Sequence, residues 1–229
     1  MRSISLISLL LIFSFTKPFF PVPSKTYTYL ALGDSYTIGE SVPAKDNFPD
    51  QTVQLLQKVG FNFQSPEIIA KTGWTTDELQ DAINKHIPIA IGIQPSYDFV
   101  TLLIGVNNQY RGRTVEDYKP EFESLLKQAI QFARNKNDHV IVLSIPDWGV
   151  TPYAEGRDRK KIAEEIDAYN VANKTISESY KVHYIDITPL TREASKDLTL
   201  LTKDGLHYSA KEYAKWAEKV SMLIQEKLK

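Results

Sequence analysis

After Ser24, short apolar runs alternate with longer amphipathic stretches, and this alternation constrains the fold more than any other feature of the chain. Each short run buried between two longer ones is a β-α unit, and repeated β-α units build a parallel sheet covered by helices. Strands are expected at residues 27–32, near 67–70, at 98–104, at 140–145 and at 182–187. Phe122, Leu125, Leu126, Ala129, Ile130 and Ala133 recur at helical spacing, as do Tyr213, Trp216, Val220, Leu223 and Ile224. Both stripes are packing faces. A further helix is expected over 157–180, with Arg159, Lys160, Lys161, Glu164 and Glu165 on a solvated face. Without an internal repeat or linker, residues 25–229 are expected to form one three-layer α/β/α domain.

The first 24 residues differ from the rest. Arg2 precedes an apolar run from Ile4 to Phe15, followed by Lys17, Pro18, Pro21 and Pro23, the arrangement of a secretory leader. The run falls short of the about 20 residues that a membrane span needs. The expected location is therefore extracytoplasmic, secreted or periplasmic. Because no small-x-small cleavage site precedes Ser24, an uncleaved membrane-anchoring leader is the alternative, and no stable span is expected once a leader is removed.

Charge excludes one class of partner. With 28 acidic and 27 basic residues the formal charge is −1, and no basic stripe is present to attract a phosphate backbone, so nucleic acid is not an expected partner. The absence of cysteine rules out disulfides, thiol nucleophiles and thiolate metal sites. Oligomeric state is not readable from the sequence.

Chemistry concentrates where strands end. Gly33-Asp34-Ser35 follows the first strand, and the carboxyl ends of parallel strands form the ligand crevice of an open sheet. Gly-Asp-Ser is also ordinary turn composition. Of the four histidines, His86 before Pro88 reads as a capping or surface residue, His139 as surface and His183 as packed or at a sheet edge. His207 stands apart, because Asp204 lies three residues earlier. At that spacing the carboxylate can accept from Nδ1, fix the tautomer and leave Nε2 for a serine, or it can simply cap the segment that follows. An acyl transfer also needs donors for an oxyanion. Gly73, after the second strand, and Asn107, after the third, could supply a backbone N–H and a side-chain amide, although each could equally be a plain turn residue.

Gly33-Asp34-Ser35, Gly73, Gly105-Val106-Asn107 and Asp204-Gly205-Leu206-His207 occur in the order and rough spacing of the four blocks that define the SGNH hydrolases, also called GDSL esterases and lipases. The chain resembles that family from about Tyr27 to its end. The resemblance implies a flavodoxin-like sheet of about five parallel strands and an acyl-serine mechanism without metal or other cofactor. It also implies small-molecule, lipid or carbohydrate ester substrates. Carried over by position, Ser35 is the nucleophile, His207 the general base and then acid, and Asp204 its orienting partner. The oxyanion hole is then the N–H of Ser35, the N–H of Gly73 and the side chain of Asn107. Two positions depart from the family pattern. Tyr36 replaces leucine at a position expected to tolerate change, and Asn108 replaces a frequent aspartate, which puts charge-dependent bracing of that loop in doubt.

Arg111 and Trp148 follow the third and fourth strands and border the expected crevice, where either could contact substrate or pack within a loop. Ester hydrolysis leads the functional expectations. An O-acyltransferase would use the same residues, and a non-catalytic binding module would leave the complete set unexplained. No cluster of histidine and carboxylate at ligand spacing accompanies His207, so no metal is expected.

Overall fold

Thr28 divides the first apolar run in two. In the computed structural model, which describes residues 25–86 and 96–229, its N–H and hydroxyl both donate to the Asp98 carboxylate, at 2.9 and 3.2 Å. The chain leaves one strand there and enters another. Strand β1 (Thr26–Tyr27) pairs in parallel with β3 (Asn62–Phe63) as a small separate sheet, and β2 (Tyr29–Asp34) enters the main sheet. The single strand expected over 27–32 is corrected accordingly. A two-residue strand carries too little periodicity to be seen in sequence. The leader read in residues 1–24 and Pro88 lie outside the described residues.

The main sheet contains β2, β4 (Glu67–Lys71), β5 (Phe99–Leu103), β6 (Val140–Leu143) and β7 (His183–Ile185). Its five strands run in the order β4-β2-β5-β6-β7, and every pair is parallel. Counted within this sheet alone, the order is 2-1-3-4-5, the flavodoxin-like arrangement. Strands β2, β5 and β6 are buried throughout, whereas the edge strand β4 is exposed at both ends. Fully buried strands read as continuous apolar runs, which is why the central strands were the legible ones.

Crossovers between parallel strands are right-handed, so reversing direction at β2 puts helices on opposite faces of the sheet. Helix α1 (Ser35–Ile38) and α2 (Phe48–Lys58) follow β2, and α2 packs against the final helix, α8 (Ala210–Leu228). Helix α3 (Thr76–His86) packs against α5 (Val115–Phe132), and α5 packs against α6 (Arg159–Ser179). Between them lie the short α4 (Val106–Tyr110) and α7 (Thr188–Arg192). Helix α6 begins two residues after the expected boundary because the Asp158 carboxylate accepts from the Lys161 N–H at 3.0 Å and caps it. Trp216 is the central fixture of the α2–α8 layer. Its ring lies 6.1 Å from Phe48, 5.5 Å from Tyr208 and 5.0 Å from Tyr213.

Two histidines are fixed by this packing. His139, expected at the surface, is half-buried: its ring stacks on Phe99 at 4.6 Å and its Nδ1 lies 2.6 Å from the Asp98 carbonyl. His183 sits half-buried on β7, the edge strand. Ligands bind open parallel sheets where strand order reverses, outside the carboxyl ends. Here that crevice lies between β2 and β5, and Ser35 is the first residue beyond β2.

Candidate active site

Gly33 allows the turn at the end of β2 to be tight. A Cβ there would stand 2.1 Å from Thr37 Oγ1 and 2.5 Å from the Leu103 carbonyl, so only glycine lets α1 fold back over the strand. Asp34 then caps α1, accepting from the Tyr36 N–H at 3.0 Å. Its carboxyl is buried, with Oδ2 finding no partner among the described residues, and burial raises its pKa to about 7 against the opposing Tyr36 hydrogen bond. Asp34 is thus a structural member of the turn. Ser35 follows, buried and lining a cleft.

That cleft, of about 130 Å³, is lined by Ser35, Tyr36, Thr72, Gly73, Val106, Asn107, Tyr110, Trp148, Tyr153, Leu206 and His207. It brings together residues from five separate parts of the chain. Ser35 Oγ forms no hydrogen bond to another described residue in this resting structure. Nucleophile–base hydrogen bonds often tighten only when substrate is bound.

Asp204 performs both tasks that its spacing allowed. Oδ1 accepts the N–H groups of Leu206 and His207, each at 2.9 Å, and the Thr202 hydroxyl at 2.7 Å, so it caps the turn. Oδ2 lies 2.7 Å from His207 Nδ1 and accepts the Ser41 hydroxyl at 2.9 Å. Partial burial acts to raise the Asp204 pKa, but the hydrogen bonds from the His207 ring, the Leu206 amide, Thr202 and the His207 amide outweigh it. The carboxyl is therefore held well below the usual carboxylate range. An ionised Asp204 selects the His207 tautomer with the proton on Nδ1 and leaves Nε2 as the lone-pair nitrogen. Tyr36 packs its ring 5.3 Å from the His207 ring and 5.8 Å from Tyr208. The position expected to tolerate change therefore forms part of the cleft and supports the imidazole.

Two further N–H groups belong to residues that line the same cleft as His207. Gly73 has φ +85°, a conformation that favours glycine, and its N–H donates to no group among the described residues. Asn107 Nδ2 donates to the Trp74 carbonyl at 3.0 Å, which orients the amide and leaves its second N–H for a ligand. Bracing of the second loop is achieved without an aspartate. Buried Asn108 accepts the Thr76 N–H at 3.1 Å through Oδ1 and donates from Nδ2 to Thr76 Oγ1 at 2.6 Å, while Glu121 receives the Thr76 hydroxyl. The negative charge stands one shell further out, on Glu121.

Arg111 does not line the cleft: its guanidinium donates to the Gly73 carbonyl at 2.7 Å and to Glu78 at 3.2 Å. Trp148 does line it, fixed by its Nε1 donating to Gln109 Oε1 at 2.7 Å. Tyr110 and Tyr153, 42% and 45% exposed, frame the mouth with their hydroxyls 3.0 Å apart. Sequence reading missed both tyrosines, and also Ser41 and Thr202. Thr202-Lys203-Asp204 carried a turn signal, whereas the tyrosines reach the cleft only through tertiary placement. Among the described residues, no group of three or more His, Cys, Asp or Glu side chains is placed to hold a metal ion.

Residues 31–215 match the GDSL-like Lipase/Acylhydrolase family. No curated protein sequence matches the chain. Among solved structures, the lipase/acylhydrolase from Enterococcus faecalis is similar with a TM-score of 0.66 at 19% identity, over 88% of this chain and 96% of that one. The psychrotrophic esterase EstA from Pseudoalteromonas sp. gives a TM-score of 0.63 at 17% identity, over 88% and 98%. The acetylxylan esterase Axe2 from Geobacillus stearothermophilus gives 0.63 at 20% identity, over 86% and 94%. At these identities the structural likeness establishes a shared fold.

Proposed function

This chain belongs to the GDSL-like lipase/acylhydrolase family and is a hydrolase, and we propose that it cleaves carboxylic esters through an acyl-serine intermediate on Ser35. The observation that carries this reading is that His207, which lines the same cleft as Ser35, has its Nδ1 2.7 Å from the Asp204 carboxylate. In the proposed reaction, Ser35 Oγ attacks the ester carbonyl as His207 Nε2 takes its proton, and Asp204 stabilises the resulting imidazolium. The tetrahedral oxyanion is held by the N–H groups of Ser35 and Gly73 and by Asn107 Nδ2. Collapse expels the alcohol, which receives the proton from His207. Water activated by the same imidazole then releases the acid and restores Ser35.

The cleft volume argues for a short acyl group. Its 130 Å³ is well below the roughly 300–1,000 Å³ of sites that enclose drug-sized ligands. An acetyl or propionyl group fits beside Ser35, while the alcohol part lies toward the aromatic mouth formed by Tyr110, Trp148 and Tyr153. Residues 25–229 act as one catalytic domain, and the leader-like residues 1–24 direct it out of the cytoplasm. Among the described residues, no helix is long and apolar enough to cross a membrane. The test is hydrolysis of p-nitrophenyl acetate by the wild type and Ser35→Ala. Loss of turnover with an unchanged circular dichroism spectrum is expected, and retained turnover would refute the serine mechanism.

A further inference from the structure

Gly73 belongs to a turn and Asn107 to the short helix α4, yet both must point at one oxygen, so something has to set the distance between them. Gly73 occupies the third position of a turn closed by the Trp74 N–H donating to the Lys71 carbonyl at 3.2 Å. Its φ of +85° is what a type II turn requires there. Asn107 stands at the start of α4, which ends just before Arg111. The Arg111 N–H returns to the Asn107 carbonyl at 3.0 Å, so Arg111 caps the helix that carries Asn107. Its guanidinium reaches across to the Gly73 carbonyl at 2.7 Å and forks onto Glu78, with Nη1 to Oε1 at 3.2 Å and Nη2 to Oε2 at 3.1 Å. Glu78 is itself fixed at the start of α3, where Oε2 accepts the Thr75 N–H at 2.9 Å. The turn and α4 therefore have two cross-links: Asn107 Nδ2 to the Trp74 carbonyl, and Arg111 to Gly73 and Glu78.

We infer that Arg111 is a positioning residue of the oxyanion pocket, registering the Gly73 N–H against the Asn107 amide by holding the Gly73 carbonyl and Glu78 together. This rests on the esterase reading above. Arg111 is absent from the cleft lining and reaches it through the Gly73 carbonyl, so the role inferred is one exerted through Gly73. Only a guanidinium suits the position, because one planar group serves a carboxylate in a two-point fork and a carbonyl beside it. The side chains of Arg111 and Glu78 are 43% and 40% exposed, and such pairs add little to stability. What the contact supplies is geometry in the transition state.

The test compares Arg111→Ala and Arg111→Lys with the wild type on p-nitrophenyl acetate. Loss of a whole oxyanion donor costs about 10²- to 10³-fold, so a misplaced one is expected to lower kcat by about 10- to 100-fold, with KM changing less than about twofold. Arg111→Lys should remain impaired, methylguanidinium in solution should restore part of the kcat of Arg111→Ala, and thermal midpoints should match the wild type. Wild-type kcat in Arg111→Ala would overturn the inference, as would a rise in KM with kcat unchanged, which would make Arg111 a substrate contact. Should Arg111→Ala fail to fold, Arg111→Lys decides by the same criteria. Labelling with a fluorophosphonate separates the two levels. If the wild type labels at Ser35 and the variants label equally fast, only the positioning role falls, whereas an unlabelled wild type removes the esterase reading and this inference with it.

Discussion

At the scale of single residues, the proposed reaction divides the site into groups that would act on the substrate and groups that would hold them. Asn107→Ala is expected to lower kcat by about 10²- to 10³-fold, and Asp204→Asn by about 10⁴-fold because it permits the wrong His207 tautomer. Steady-state kinetics on one aryl acetate checks both, and the reverse ranking would show that Asp204 serves mainly as a turn cap. Asp34 belongs to the second group and gives a pH effect on stability. Its folded-state pKa of about 7 exceeds that of the unfolded chain, so the native state binds more protons between about pH 4 and 7. Its contribution is fully present below about pH 4 and is lost as pH rises through 7. Asp204, with a depressed pKa, acts in the opposite sense and only at lower pH, its stabilisation disappearing as acid protonates it. Asp34→Asn should therefore flatten the fall in urea stability between pH 5 and 8 by a few kcal/mol, because each pKa unit corresponds to about 1.4 kcal/mol. An unchanged slope would mean that Asp34 is ionised throughout. Ser35, Asp204 and His207 were visible in sequence because turn position and i, i+3 spacing are local properties. Tyr110 and Tyr153 were not, because they reach the cleft through tertiary packing.

At the scale of elements, legibility followed burial and length. The wholly buried β2, β5 and β6 announced themselves as apolar runs, and the stripes of α5 and α8 followed the helical period. Strands β1 and β3 are too short for any pattern, and Thr28 broke the first run through contacts with Asp98, a residue 70 positions away. His139 escaped for a similar reason, since its partner ring Phe99 belongs to a different strand. The loops are elements too, and Asn108 shows how one is braced. Its amide satisfies the Thr76 N–H and hydroxyl while buried, so Asn108→Ala strands polar groups near Glu121. That loss should cost about 2–4 kcal/mol in urea unfolding, from two hydrogen bonds and the groups left unpaired. A cost under about 0.5 kcal/mol, the level of a neutral surface change, would show that water replaces the amide without penalty.

At the scale of the molecule, the 2-1-3-4-5 strand order makes these local facts converge. Reversal at β2 opens a crevice above β2 and β5, and Ser35, Gly73, Asn107 and the Asp204–His207 turn all reach it from different parts of the chain. Under the proposed reaction, the small cleft predicts a preference among substrates. In an aryl ester series, kcat/KM should be highest for acetate or propionate and fall by 10-fold or more by octanoate, since misfit methylenes are each worth roughly 1–3 kcal/mol. A rise toward octanoate would mean that the acyl chain runs along the aromatic mouth. The claim on which everything else depends is that Ser35 carries the acyl group. Turnover of p-nitrophenyl acetate, quenched with acid in the first turnovers and examined by peptide mass spectrometry, tests it most directly. One acetyl group on the peptide containing Ser35, absent in Ser35→Ala, is the predicted result. Acid released by both proteins with no acetyl on that peptide would contradict it.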